Sequence, residues 1–183
     1  MSKESTALVQ LFYLRHKLYR PLLIIGSAVF CIILSFTRLP GMDLLDIGPN
    51  WFLIWVVIWS LRHNSWQATI AGLIMGWIKD GLTYTYPTHL LSLGIVAFLV
   101  ARLGKNRYLR ESFIALVFIT FVMVGIGEGI IAIQYLVQGT RSHAEVWHHW
   151  QQITLSSALL SSLWIPFIAY PFNSLWEKSG EAL

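Results

Sequence analysis

The run SFIALVFITFVMVGIGEGIIAIQYLV, Ser112 to Val137, holds 26 residues and one charged side chain, Glu128. A helix of that length reaches about 39 Å at 1.5 Å per residue, more than the ~30 Å hydrocarbon layer of a bilayer. An ionised carboxylate within such a span costs on the order of 2.5 to 3.5 kcal/mol even on lenient insertion scales. Glu128 must therefore be protonated, paired or facing a wet cavity. Gly125 and Gly129 flank it as a GxxxG pair, a spacing that lets another backbone approach closely. Two readings follow for Glu128: an interhelical hydrogen bond that holds an assembly together, or a ligand or proton site.

The rest of the chain agrees that lipid is the solvent. Only 12% of its 183 residues are charged, about half the share usual in a soluble domain. The length suits one domain, and the single cysteine, Cys31, excludes an intrachain disulfide. Six apolar segments are predicted as transmembrane helices: Pro21–Thr37, Asn50–Leu61, Trp66–Leu82, Thr88–Leu103, Ser112–Val137 and Ile153–Trp176. The second is the shortest, and Gly48-Pro49 stands just before it. It is read as a full span starting near Pro49, with a re-entrant segment as the other option. Pro166 and Pro171 are expected to kink the sixth. The fold class is thus an all-α integral membrane protein. Residues 1–20 form a basic, amphipathic cytoplasmic segment, 21–176 the six-helix domain and 177–183 a short cytoplasmic tail.

Charge sets the orientation, because Lys and Arg concentrate in cytoplasmic loops. With the N-terminus inside, the inner segments hold Lys3, Arg15, Lys17, Arg20, Arg62, Arg102, Lys105, Arg107, Arg110 and Lys178. The outer ones hold only Arg38, Lys79 and Arg141. Both termini are therefore expected in the cytoplasm, and the net charge of +4 reflects topology and not a nucleic-acid partner.

Gly72, Gly76 and Asp80 recur every fourth residue and share one face of the third helix. In the expected topology Asp80 lies near the outer end of that helix. A carboxylate there opposes the negative end of the helix dipole, which calls for a local partner. Arg38, also outer, is one candidate. The alternative is a solvated helix terminus. Lys79 is expected to snorkel to the interface.

No catalytic arrangement is present. The sequence lacks G-x-S-x-G, P-loop and Rossmann patterns. HAEVWHHW, His143 to Trp150, contains no HExxH, and His143 and His148, five apart, do not share a helical face. It reads as an interfacial segment anchored by Trp147 and Trp150. No catalytic, cofactor or metal site is assigned, and the chain is read as a non-enzyme.

The region from Arg38 to Leu103 resembles the MreD family of rod shape-determining membrane proteins. The resemblance rests on RLPG (Arg38 to Gly41) after the first helix, then a proline-led second helix from Gly48-Pro49 to Leu61-Arg62. Gly72, Gly76 and Asp80 follow in the third helix, and then a break into a fourth helix with a basic end. The chain departs from the family in TYTYPTHLL, where Pro87 and Thr88 replace the usual small residue after the break. The resemblance implies a fold like that of the substrate-binding subunits of energy-coupling-factor transporters. It further implies a multi-pass assembly subunit of the cell-elongation machinery in the bacterial inner membrane. Its partner would be an MreC-like membrane-anchored scaffold. The actin-like MreB and the glycosyltransferase and penicillin-binding protein pair that builds lateral peptidoglycan would be engaged indirectly. Arg38, Gly72, Gly76, Asp80, Gly125, Glu128 and Gly129 are the assembly residues on this reading. The alternative is a small-solute-binding subunit of a vitamin transporter, drawing Glu128, Gln134, Asp80 and Trp77 into a cavity.

Overall fold

Each of the six apolar segments folds as a helix. The computed structural model describes residues 21–37, 47–83, 88–106, 109, 112–139 and 143–178. Arg38, the RLPG element, the basic N-terminal segment and residues 179–183 lie outside the described residues. In chain order the helices are α1 (Pro21–Phe36), α2 (Trp51–Ser60), α3 (Ser65–Thr83), α4 (His89–Leu103), α5 (Phe113–Gln138) and α6 (His143–Lys178). Among the described residues two stretches are long and apolar enough to cross a membrane: Phe113–Gln138, with an 18-residue segment of mean hydropathy 2.4, and Ala144–Phe172, with one of 1.5.

The weakest segment of the sequence lies at the centre of the bundle. All ten residues of α2 are buried, as befits a helix that is apolar all round. It starts at Trp51 and not at Pro49, because the side chain of Asn50 caps it by accepting from the Leu53 N–H at 3.2 Å. Ten residues cover only about 15 Å, half the hydrocarbon thickness. The non-helical residues before α2 are sheltered by protein: Pro49 is buried and the Asn50 N–H donates to Ser161 Oγ of α6 at 2.9 Å. Irregular backbone at such depth persists only where protein or water satisfies it. On the other side, Trp55 Nε1–H donates to Ser27 Oγ of α1 at 2.9 Å, and Cys31 is fully buried in the same core.

Glycines set the tightest helix contacts. A Cβ added at Gly72 would lie 2.5 Å from the Leu93 carbonyl oxygen and 2.6 Å from Ala97 Cβ, and one at Gly76 would lie 2.5 Å from Leu90 Cα. The α3 and α4 backbones are therefore in direct contact. At the other end of the pair, Gly104 packs on the backbone of Leu61. Between α4 and α5, the close approach occurs at Gly127, where Ser92 Oγ–H donates to the Gly127 carbonyl at 2.9 Å. Helix α5 stops at Gly139, whose φ of 64° is the left-handed cap conformation that glycine adopts without strain.

Large apolar side chains cover the outside: Leu22, Ile25 and Ile33 of α1, Ile114 and Phe118 of α5, and Leu159, Leu163 and Phe167 of α6. Water-facing surfaces do not carry such a contiguous apolar coat. Polar residues turn inward instead, with Ser60, Thr120 and Ser161 fully buried. Helix α6 begins at His143, so the HAEVWHHW segment is its first turns, and it continues through Pro166 and Pro171.

Candidate functional site

Polar side chains gather where α2 and α4 begin and α3 and α5 end. The Asp80 carboxylate, in the last turn of α3, reaches the first turn of α4. Its Oδ1 accepts from the His89 N–H at 2.6 Å and its Oδ2 from the Leu90 N–H at 3.1 Å. His89 Nδ1 lies 2.8 Å from the same Oδ1, which places the ring proton on Nδ1. The opposition between Asp80 and its own helix end is thus answered by the positive end of the next helix. Its partner is α4 and not a solvated surface.

A second side chain holds the same helix start. Gln134 of α5 accepts through Oε1 from the Thr88 N–H (3.1 Å) and from Thr88 Oγ1–H (3.2 Å), and its Nε2–H donates to the Thr88 carbonyl at 3.1 Å. Thr88 is the N-cap residue of α4, yet its own hydroxyl makes no capping bond. Capping is delegated to Asp80 and Gln134, on helices to either side.

Deeper in the bundle, Glu128 of α5 meets the start of α2. Asn50 Nδ2–H donates to Glu128 Oε1 at 3.4 Å. Glu128 stands ten residues before the last residue of α5, so this contact lies about 15 Å below that helix end. Lys79 does not snorkel away: its Nζ lies 5.9 Å from the centroid of the buried Phe52 ring, with Glu128 and Asp80 as its charged neighbours. The Lys79 charge is thus held toward the bundle, attracted by Glu128 and then Asp80.

Glu128 also lines a cleft between α5 and α6, with Ile131, Ala132, Tyr135, Val146, Trp150 and Ile153. The wall is apolar apart from the carboxyl, the phenol and the indole N–H. Gly125 and Gly129 face α6 at ordinary contact distance, 3.8 Å from Thr154 Cγ2 and from Trp150 Nε1 respectively for an added Cβ. Gly127, the middle glycine of the same run, makes the close helix contact instead.

The structure therefore joins Asp80, Gly72 and Gly76 through α4, places Glu128 with Asn50, and leaves Gly125 and Gly129 on the α6 side. The groove of Gly72 and Gly76 is filled by α4 of the same chain. Sequence reasoning missed Asn50, Thr88, His89 and Ser92. Ser161, one of four serines at helical spacing in the sixth run, is read as a packing and hydrogen-bonding residue and accepts from the Asn50 N–H. Asn50 and Thr88 were legible, since each stands immediately before an apolar run in the N-cap position. Ser92 gave no comparable signal.

The fold and this polar layer are set in a chain that matches, over residues 15–172, the family described as rod shape-determining protein MreD. The chain belongs to the MreD family. That match covers most of the sequence and includes all the polar residues above. The MreD family is a membrane family of the rod shape-determining system, and it is not known as a family of enzymes. No curated protein and no solved structure matches the chain.

Proposed function

We propose that this chain is a non-enzymatic, six-span assembly subunit of the bacterial inner membrane, with both termini cytoplasmic. It acts in the machinery that extends the lateral peptidoglycan wall, where it holds an MreC-like scaffold directly and MreB and the wall-building enzymes indirectly. Family membership carries the role, and one structural observation favours a docking surface. Glu128 lines a cleft between α5 and α6, the two longest helices, and the rest of its wall is apolar but for the Tyr135 hydroxyl and the Trp150 indole N–H. A partner's single transmembrane helix entering that cleft would bury apolar surface and meet one strong hydrogen-bonding group. Asp80, Gly72 and Gly76 contribute by fixing the α3–α4 pair against which α5 rests. A fold like that of the transporter substrate-binding subunits belongs to this reading and rests on the family resemblance alone. Function then lies in recruitment and not in solute capture.

The test is co-purification of the MreC-like partner in mild detergent, with rod-shape complementation in a strain lacking this chain. Ala132→Trp fills the cleft without touching the Asn50–Glu128 bond and should abolish recovery of the partner and the rod shape. Glu128→Gln, which keeps an acceptor for Asn50, should retain more partner than Glu128→Leu. Full partner recovery and normal rods with Ala132→Trp would remove the cleft as the docking surface.

A further inference from the structure

Two buried polar atoms on one face of α6 have no hydrogen-bond partner: Trp150 Nε1 and, one turn further on, Thr154 Oγ1. Elsewhere in the bundle such groups are met. The buried Trp55 indole donates to Ser27 Oγ, and Thr120 and Ser162 return their hydroxyls to carbonyls of the preceding turn. The face that Trp150 and Thr154 share meets the glycines beside Glu128. A Cβ added at Gly129 would lie 3.8 Å from Trp150 Nε1, and one at Gly125 would lie 3.8 Å from Thr154 Cγ2. The GxxxG pair thus serves no backbone-to-backbone contact within the chain. It sets bare helix surface opposite an indole N–H that has no acceptor.

An unmet buried donor costs free energy, and folded proteins keep few of them. This one belongs to a side chain that lines the same cleft as the Glu128 carboxyl, so one occupant can meet both groups. Their chemistry restricts that occupant. The indole N–H only donates, whereas an ionised carboxylate only accepts. A cationic side chain would satisfy Glu128 and oppose the N–H, and a carboxylate would accept from the N–H and repel Glu128. Hydrocarbon, from lipid or from an all-apolar helix, would meet neither. A carboxamide carries an acceptor oxygen and a donor NH2 on one carbon. It also serves a protonated Glu128, because its oxygen has two lone pairs.

We propose that the partner's transmembrane helix inserts an Asn or Gln side chain between α5 and α6, its oxygen accepting from Trp150 Nε1–H and its NH2 donating to Glu128. This placement rests on the docking of that helix in the Glu128 cleft and names the group that recognises it. The Trp150 N–H is covered in the free chain, so the partner reaches it by parting α5 from α6 beside Gly129. Contact there is at ordinary van der Waals distance, unlike the interlocked backbones at Gly72 and Gly76, which makes this seam the cheaper one to open. The orphaned donor adds to the driving force, because docking removes a cost that the free chain carries.

Indole N–H resonances of the full chain, isotope-labelled at tryptophan in detergent micelles, test it, with the Trp150 signal assigned by its absence in Trp150→Phe. In the free chain that signal should stand at the upfield position of an unbonded indole and move downfield when the MreC-like partner is added. Trp150→Phe, which keeps an aromatic ring in place, should weaken partner binding about three- to tenfold. Replacing the partner's intramembrane Asn or Gln by Leu should abolish the downfield shift. A Trp150 signal already downfield in the free chain overturns the proposal, since Glu128 or a water would then hold the donor. A signal unmoved by a partner that still binds overturns it as well. So does a shift that survives loss of the partner's Asn and Gln, or a partner helix that has neither. These outcomes leave the docking reading standing, which fails separately if Ala132→Trp retains full partner recovery.

Discussion

Asp80 Oδ1 accepts a 2.6 Å hydrogen bond from the backbone N–H of His89, so the last turn of α3 grips the first turn of α4. Eight residues separate the two in sequence, across the break between the helices. Above the glycine contacts of Gly72 and Gly76, this clasp makes α3 and α4 one unit, closed by backbone packing along its length and by charge at its end.

Removing the clasp should cost stability in proportion to the donors orphaned. Asp80→Ala leaves the His89 and Leu90 N–H groups without acceptors and should lower stability by on the order of 2 kcal/mol. His89→Ala keeps both backbone bonds and should cost about 1 kcal/mol or less. Thermal unfolding in detergent, followed by near-ultraviolet circular dichroism, orders the two. Equal losses would mean that the imidazole, and not the capped backbone, carries the clasp.

Glycine positions should divide by what surrounds them. Gly72→Ala drives a methyl to 2.5 Å from a backbone oxygen and should destabilise by about 1–3 kcal/mol, since two packed backbones must part. Gly81→Ala meets nothing within 4 Å and should be neutral or stabilise by about 0.5–1 kcal/mol through helix propensity. Gly125→Ala, in ordinary contact with Thr154, should resemble Gly81→Ala. Unfolding midpoints of the three variants provide the comparison.

Gln134 makes three hydrogen bonds to one residue of another helix, so Gln134→Ala should lose about 2 kcal/mol. Thr88→Val preserves the two backbone bonds and removes only the hydroxyl, and should lose about 1 kcal/mol. Amide hydrogen exchange sharpens the test: protection of the first turn of α4 should fall in Gln134→Ala and persist in Thr88→Val.

Asn50→Ala removes the cap of α2 and the link to Glu128 together, and should cost about 1–2 kcal/mol. Because the Asn50–Glu128 bond is long, at 3.4 Å, a double-mutant cycle with Glu128→Leu, which removes the acceptor, should return a coupling below about 1 kcal/mol. A larger coupling would show that Glu128, and not the Leu53 N–H, is the main partner of Asn50.

The sequence by itself determined the solvent and the elements. Apolar runs separated by basic or glycine–proline breaks specify helices in lipid, and the helices fall within a residue or two of those runs in α1 to α5. Only α6 differs at its start, because the polar HAEVWHHW turns lack the apolar signal that marks a span yet still extend the helix. The four-residue spacing of Gly72, Gly76 and Asp80 was also legible as one face, as was the cost of Glu128 in lipid. What the face meets was not. Any helix offers its grooves to any other at similar cost, so the choice of α4 as occupant depends on the α3–α4 break and on the positive helix end it presents to Asp80. The same holds for α2, the shortest of the apolar runs and read from sequence as a span, whose ten residues become the core because the neighbouring helices close on them. Tertiary structure alone decided that Gly127, one residue before the acid, takes the close contact, and that Asn50 and Lys79 become the neighbours of Glu128. Those pairings join residues 35 to 78 positions apart, and no local periodicity encodes a contact made across the bundle.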